Sequence, residues 1–203
     1  MLEKILEHAD RIFNKFGIKS ITMDDVAREL AISKKTLYQH VSDKDDLVMK
    51  TVSWHIEKVR DICDNLDTGK NAIDHIMDIA GFMIKMHQHT NTSLLYDLKK
   101  FHPQSYKIFF DHKEHMMFSQ IKAHIHLGIT QKMFRKDFNV DIVSRLYIGL
   151  IEFILSSDSV AMSDYKFEDK YREMIIYHLN GIGTPEGILY LNQNKKKLFQ
   201  NHL

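Results

Sequence analysis

The stretch Ile21-Thr-Met-Asp-Asp-Val-Ala-Arg-Glu-Leu-Ala-Ile-Ser-Lys-Lys-Thr-Leu-Tyr-Gln-His-Val-Ser-Asp-Lys-Asp-Asp-Leu-Val-Met-Lys-Thr-Val52 decides the fold, because it holds three helix starts in 32 residues. Thr22 precedes a run whose apolar positions are Val26, Ala27 and Leu30, and Asp25 follows three residues later, so the two can exchange bonds as a capping box. Ile21 and Val26 sit where a hydrophobic staple would hold the incoming chain. The device repeats at Ser33, with Ile32 before it and Leu37 at the staple position, after a turn of about three residues. Ser42 with Asp45 reads as a third capping box, opening a longer helix through Leu47, Val48, Val52, Ile56 and Val59. Two short helices joined so tightly must cross steeply, as in a helix-turn-helix.

The middle helix carries the chemistry. With Leu37 and Val41 facing inward, Ser33, Lys34, Lys35, Thr36, Tyr38, Gln39 and His40 are left outward, and no acidic residue interrupts them. Lysine can bond guanine edges or phosphate, threonine a base or a thymine methyl, and tyrosine and histidine phosphate oxygens. Lys44 adds charge at the start of the third helix, where backbone amides already favour an anion. Residues 1–50 carry nine Lys/Arg against nine Asp/Glu, so affinity for nucleic acid must come from this local patch rather than from bulk charge. The plainer alternative is a small helical bundle with a solvated basic face.

The run Thr22 to Leu47, above all Thr36-Leu37-Tyr38-Gln39-His40-Val41 followed by Lys44 and Leu47, resembles the TetR family of bacterial transcriptional regulators. The resemblance implies that Thr22 caps its helix against a phosphate. It also implies that Lys34 to Thr36 and His40 face the major groove, while Tyr38 and Lys44 hold the DNA backbone. Two positions depart from the family pattern. Ala31 stands where glycine is common, at a cost on the order of 1 kcal/mol if the turn needs positive φ, and Val41 replaces a commoner aromatic residue.

The remaining sequence of the 203-residue chain has few strand signals, with two prolines and eight glycines, and reads as all-α. Leu2, Ile5, Leu6, Ala9, Ile12, Phe13 and Phe16 form an amphipathic first helix ended by Gly17. Residues 1–50 are therefore expected to form a three-helix head with the helix-turn-helix. Residues 51–185 are expected to form a larger helical effector-binding and dimerisation domain, and 186–203 a short last helix and a tail solvated from Asn192. The polar run 67–70 breaks the chain between head and body. Beyond it Ile73 to Met86, Leu94 to Phe101, Tyr106 to Leu127, Val140 to Leu155 and Tyr171 to Leu179 have apolar residues on more than one face, as buried helices do. His102-Pro103 separates two of them, and Thr184-Pro185 opens the last helix.

The family resemblance implies a dimer whose interface uses helices at about 139–158 and 166–181. The candidate contacts are Leu146, Leu150, Phe153, Ile154, Ile175 and Leu179. A pair of heads roughly 34 to 36 Å apart would share one near-palindromic operator of double-stranded DNA. An unidentified small-molecule effector, hydrophobic or amphipathic, is the third expected partner. Candidates for its pocket are Phe82, Met83, Met86, Tyr96, Phe101, Phe109, Phe110, Met116, Met117 and Ile121, although methionines and aromatics at helical spacing are more often plain core. Glu152, inside an apolar helix, reads as a dimer contact or a pocket polar group.

Function classes narrow accordingly. Thirteen histidines fall in near pairs such as His112 and His115, but no cysteine or carboxylate completes a metal set. No phosphate loop, nucleophile elbow or zinc spacing suggests an enzyme or a cofactor. A single Cys63, acidic residues in the first helix and no long apolar run suit a cytoplasmic protein without membrane association. The expectation is a regulator, most simply a repressor released by its effector. The competing reading is a helical ligand carrier or protein-interaction module whose head no longer binds DNA.

Overall fold

The computed structural model describes residues 1–65, 70–88, 90–91, 93–155 and 164–200, with the side chains of 113 and 196–200 excepted. Among the described residues every regular element is helical, apart from a single bridge between Phe134 and Gly183. The polar break at 67–70 falls mostly outside the described residues.

Two compact units result: Met1–Ile62 with His89–Glu114, and Cys63–Gln88 with His115–Leu203. The first contains α1 (Leu2–Phe16), α2 (Met23–Glu29), α3 (Lys34–Tyr38) and the greater part of α4 (Lys44–Asn65). Its core is Ile5, Ala9, Ile12, Phe13, Ile18, Val26, Leu37, Val41, Leu47 and Val48, the apolar positions that the capping pattern selects. After α5 (Ala72–Gln88), α6 (Leu94–Phe101) and α7 (Pro103–His112) return to this unit. Leu98 joins its core, and the buried Asp97 accepts the backbone N–H of Lys19 at 2.9 Å. Packing thus groups residues 89–114 with the head, where the sequence reading had assigned α6 and α7 to the body. An amphipathic stripe says that a helix must be buried but not against which core.

Caps fix the local geometry. Thr22 Oγ1 accepts the Asp25 N–H while an Asp25 carboxylate oxygen accepts the Thr22 N–H, the expected box. Ser33 Oγ accepts the Thr36 N–H at 3.0 Å. The third start is shifted: Asp43 accepts the Asp46 N–H at 2.8 Å, and Asp46 accepts the Ser42 N–H at 2.9 Å. Asp43 is therefore the cap in place of Ser42: it stands directly before Lys44, the first helical residue, and its carboxylate reaches the amide three residues on. Between α2 and α3, Ala31 donates to Arg28 O at 3.1 Å and Ile32 to Ala27 O at 3.0 Å, a Schellman turn with Ala31 at φ 52°.

The second unit packs α5, α8 (Phe118–Thr130), α9 (Val140–Leu155), α10 (Phe167–Ile182) and α11 (Pro185–Gln200) around Ile73, Met77, Ile125, Phe134, Ile151, Ile175, Leu179 and Leu191. The expected single helix from Tyr106 to Leu127 is interrupted by a π-helical turn at Lys113–Met117. Gly128 is required where it stands, because a Cβ there would lie 2.0 Å from the ring of Phe134. Thr184 caps α11 by accepting the Gly187 N–H at 3.0 Å, with Pro185 at the first helical position. That helix runs to Gln200 rather than fraying from Asn192. Leu191 is buried, and Tyr190 donates to Asp74 at 2.7 Å, so its first half is tied to the core.

Candidate nucleic-acid interface

The reading helix α3 is five residues long, and only Leu37 of it is buried. Ser33, Lys34, Lys35, Tyr38 and Gln39 are exposed, whereas Thr36 and His40 are half-buried. Two contacts anchor its ends. Ser33 caps the first turn, and Lys50 of α4 donates from Nζ to the His40 carbonyl at 3.0 Å while pairing with Asp46 at 2.8 Å. A helix this short has little intrinsic stability, so these tethers and the fully buried Leu37 set its angle.

The cations of this face differ in commitment. Lys34 Nζ lies 2.5 Å from the Asp24 carboxylate of α2, with both side chains exposed. Such a pair is worth little in water, so phosphate can replace Asp24 at small cost. Lys35 has no carboxylate partner among the described residues. Lys44 Nζ donates to the Ile18 carbonyl at 2.8 Å, and burial pulls its pKa below the usual lysine value. Its ammonium therefore braces the start of α4 against the loop after α1. Thr22 is exposed, but its hydroxyl is engaged by Asp25 at 2.6 Å. The bond from Thr22 is also the main reason that the Asp25 carboxyl lies below its ordinary pKa.

Two acidic residues have partners that sequence spacing does not give. Asp24 holds Lys34, and Asp45, exposed at the start of α4, accepts from the buried His102 Nδ1 at 2.6 Å. The spacing of Asp24 and Lys34 shows no helical period, which is why only the packed α2–α3 corner reveals it.

The body residues sort differently. Of the pocket candidates, Tyr96, Phe101 and Phe110 are exposed and Phe109 is half-buried, all in the first unit. Met83, Met117 and Ile121 pack on the second core, and Phe82, Met86 and Met116 are half-buried in the second unit. The ten therefore do not converge within one unit, because the apolar faces of α6 and α7 follow the first core. The second unit instead encloses a polar aromatic group that the sequence pattern hid among its apolar runs. Tyr147 lies 4.3 Å from the His178 ring, and Tyr171 shares a hydrogen bond with Tyr147 and stacks at 5.3 Å on Phe167. Burial raises both tyrosine pKa values, lowers that of His178 to about 4, and pushes the Cys63 thiol up to about 11.

Among the dimer candidates, Ile154, Ile175 and Leu179 are buried in their own unit and are spent on its core, and Leu150 packs partly against it. Leu146 and Phe153 are 63% and 47% exposed. With Ile142 and Gly149 they form one stripe along α9, and Tyr177 is the most exposed aromatic of α10. Glu152 is half-buried on α9. Among the described residues no three His, Cys, Asp or Glu side chains converge as a metal site, and no helix is long and apolar enough to cross a membrane.

Residues 5–50, the part of the chain with this geometry, match the family described as bacterial regulatory proteins, tetR family. Over 190 residues the chain is 26% identical to YvaF of Bacillus subtilis (strain 168), an uncharacterised HTH-type transcriptional regulator. The match spans 92% of this chain and 97% of that protein. A transcriptional regulator from Cytophaga hutchinsonii shares the fold, with TM-score 0.73 and 20% identity over 90% of this chain and 98% of its own. A regulator from Saccharomonospora viridis, solved in complex with choline, gives TM-score 0.72 and 16% identity over 90% and 97%. A capped α2, a Schellman turn and an α3 that shows lysine, tyrosine and glutamine to solvent are what those matched residues build, so segment 5–50 is a helix-turn-helix head of the tetR family of bacterial regulatory proteins.

Proposed function

We propose that the protein is a cytoplasmic repressor that binds a near-palindromic duplex operator as a homodimer and leaves it when a small effector binds. The observation that carries the DNA reading is the exposed, carboxylate-free face of α3, with Lys35, Tyr38 and Gln39 outward over a buried Leu37. In this reading Lys34, Lys35, Thr36, Gln39 and His40 meet base edges, whereas Ser33, Tyr38 and the capped Thr22 meet phosphates. Lys44 acts indirectly, by setting where α4 begins.

Homodimerisation is supported by the α9 stripe Ile142, Leu146, Gly149 and Phe153, which a lone protomer would leave in water. Two such heads reading half-sites one helical turn apart compensate for the formal charge neutrality of each. The effector is proposed to be a small hydrophobic or amphipathic molecule held in the second unit. The choline bound by the Saccharomonospora viridis regulator is an example of such a molecule on this fold. Its occupancy shifts the population toward a conformation in which α4 no longer spaces the heads for adjacent grooves.

Footprinting on DNA from around its own coding region tests the reading. A protected, roughly twofold-symmetric site is expected; Lys35→Ala or His40→Ala should change which bases are preferred, and Tyr38→Ala should weaken all sequences alike. Protection of no sequence, or identical isotherms for all three variants, would overturn it.

A further inference from the structure

Five lysines of the first unit are already neutralised or engaged: Lys34 by Asp24, Lys44 by the Ile18 carbonyl, Lys50 by Asp46, Lys58 by Glu3 and Lys107 by Asp111. Four others, apart from the Lys35 of the reading face, form a group of their own. Among the described residues Lys15, Lys19, Lys99 and Lys100 have no carboxylate partner, and all four are exposed. They gather where the end of α1 meets α6. Asn91 donates its backbone N–H to the Asn14 carbonyl at 2.6 Å, a Cβ on Gly17 would come within 2.8 Å of Ser93 Oγ, and Asp97 accepts the Lys19 N–H at 2.9 Å. The one carboxylate at the centre, Asp97, is buried and turned toward backbone.

Aromatic rings lie beside three of these ammonium groups, those of Lys15, Lys19 and Lys100. Lys19 Nζ lies 5.2 Å from the centroid of Phe101, and Lys100 Nζ lies 5.5 Å from the same ring and 5.1 Å from that of Tyr96 while donating to the Tyr96 hydroxyl at 2.7 Å. Lys15 sits 5.0 Å over Phe16. Phe16, Tyr96 and Phe101 are 51%, 57% and 38% exposed. Large rings left in water are a poor core but a good platform, because they pre-order cations and offer flat faces to sugars.

We propose that this α1–α6 strip is a second DNA contact, which grips the phosphate backbone outside the segment read by α3; it rests on the DNA-binding reading above. The charge fits one occupant, a polyanion, and its place in the chain selects duplex DNA. Lys19 and Ile18 are adjacent, the Ile18 carbonyl anchors Lys44 at the start of α4, and Thr22, the cap of α2, follows three residues after Lys19. The strip therefore adjoins the start of α4 and the cap of α2, the two helices that flank α3 in the chain. Contacts of this kind position the protein and add affinity without reading sequence, and their free charges are the ones that release counterions.

The test compares two duplexes containing the footprinted sequence, one trimmed to the outer edges of the half-sites and one extended by about ten base pairs on each side. Affinities are measured against potassium chloride concentration for wild type and for the triple variant Lys19→Gln, Lys99→Gln, Lys100→Gln. The wild type is expected to bind the long duplex about tenfold more tightly and with a steeper salt slope. The triple variant should lose that difference, with the slope flattened by about 0.9 for each lysine removed, and should keep its base preferences. The matching Lys→Arg triple should restore both, and Lys85→Gln in the second unit should change neither. A glutamine triple that keeps the wild-type length and salt dependence overturns the strip, as does lysine-dependent retention on phosphatidylglycerol vesicles with the DNA isotherms unchanged. Wild type that binds neither duplex overturns the DNA-binding reading itself, and the strip with it.

Discussion

The two units are specified by different kinds of interaction. The first has a modest core, and its helices are placed by directional bonds: the Thr22–Asp25 box, the Ser33 cap, the Asp43–Asp46 cap and the Lys44 and Lys50 tethers. The second is held by a larger apolar cluster, with a few buried polar rings at its centre. Directional bonds fix angles, which a surface that must match DNA grooves requires. Apolar burial fixes volume and tolerates variation in shape, which suits a domain adapted to different ligands.

The largest separation between the two should come from burial. Leu37 is fully buried under the reading helix, so Leu37→Ala should destabilise the first unit by about 2–5 kcal/mol. Leu146, 63% exposed on α9, has no such role within its own protomer, and Leu146→Ala should stay within about 0.5 kcal/mol for the monomer. Hydrogen exchange resolved by peptide would localise the first loss to residues 1–62 and 90–114. Sedimentation would show whether Leu146→Ala instead shifts the protein toward monomer, as the dimer proposal requires. A Leu146 variant that unfolds like the Leu37 one would erase the contrast.

Acid should also separate the units. His178 is held neutral by burial, with its folded pKa lowered to about 4 from an ordinary 6.5. The unfolded chain takes up this proton first, so stability is full above about pH 7, declines as pH falls toward 4 and levels off below. The loss is at most about 3 kcal/mol. In the first unit Asp46 is held below the usual carboxylate range, chiefly by its hydrogen bond from Lys50, and Asp25 by that from Thr22. Depressed carboxylates contribute stability above their unfolded value, and it is lost only as pH falls through and below about 4. Exchange protection measured from pH 7 to 4 should fall first in the second unit. His178→Phe, which keeps a ring against Tyr147, should flatten that slope, and an unchanged slope would assign the titration elsewhere.

The same contrast decides what could be read from sequence. Caps are local and type-specific, so Thr22, Asp25 and Ser33 announce α2 and α3 without any tertiary knowledge. Ser42 misleads because Asp43 beside it is an equally good cap, and one residue of offset is below what spacing resolves. At Lys44 the residue type announces a cation but not the Ile18 carbonyl to which it is bonded. In the body an apolar stripe demands burial but names no partner. Leu98 goes to the head core, Ile154, Ile175 and Leu179 to their own unit, and Leu146 to the surface, with nothing in the residue types to tell them apart.

The smallest expected effect is shared by both units, and it tests whether the turns that end their helices carry the same strain. The turn after α2 puts Ala31 at φ 52°, and the turn after α8 puts Lys132 at φ 60°. In each the two closing bonds are present: Ile32 to Ala27 O with Ala31 to Arg28 O, and Met133 to Gly128 O with Lys132 to Ile129 O. A left-handed residue with a Cβ costs roughly 1–2 kcal/mol, of which glycine would return only part, because it has more freedom to lose on folding. Ala31→Gly and Lys132→Gly should therefore each stabilise by about 0.5–1 kcal/mol, read as a rise in the denaturation midpoint at unchanged slope. If only Lys132→Gly does so, the head turn is relaxed by its tethers, and the directional bonds of the first unit already offset the strain that the apolar packing of the second leaves in place.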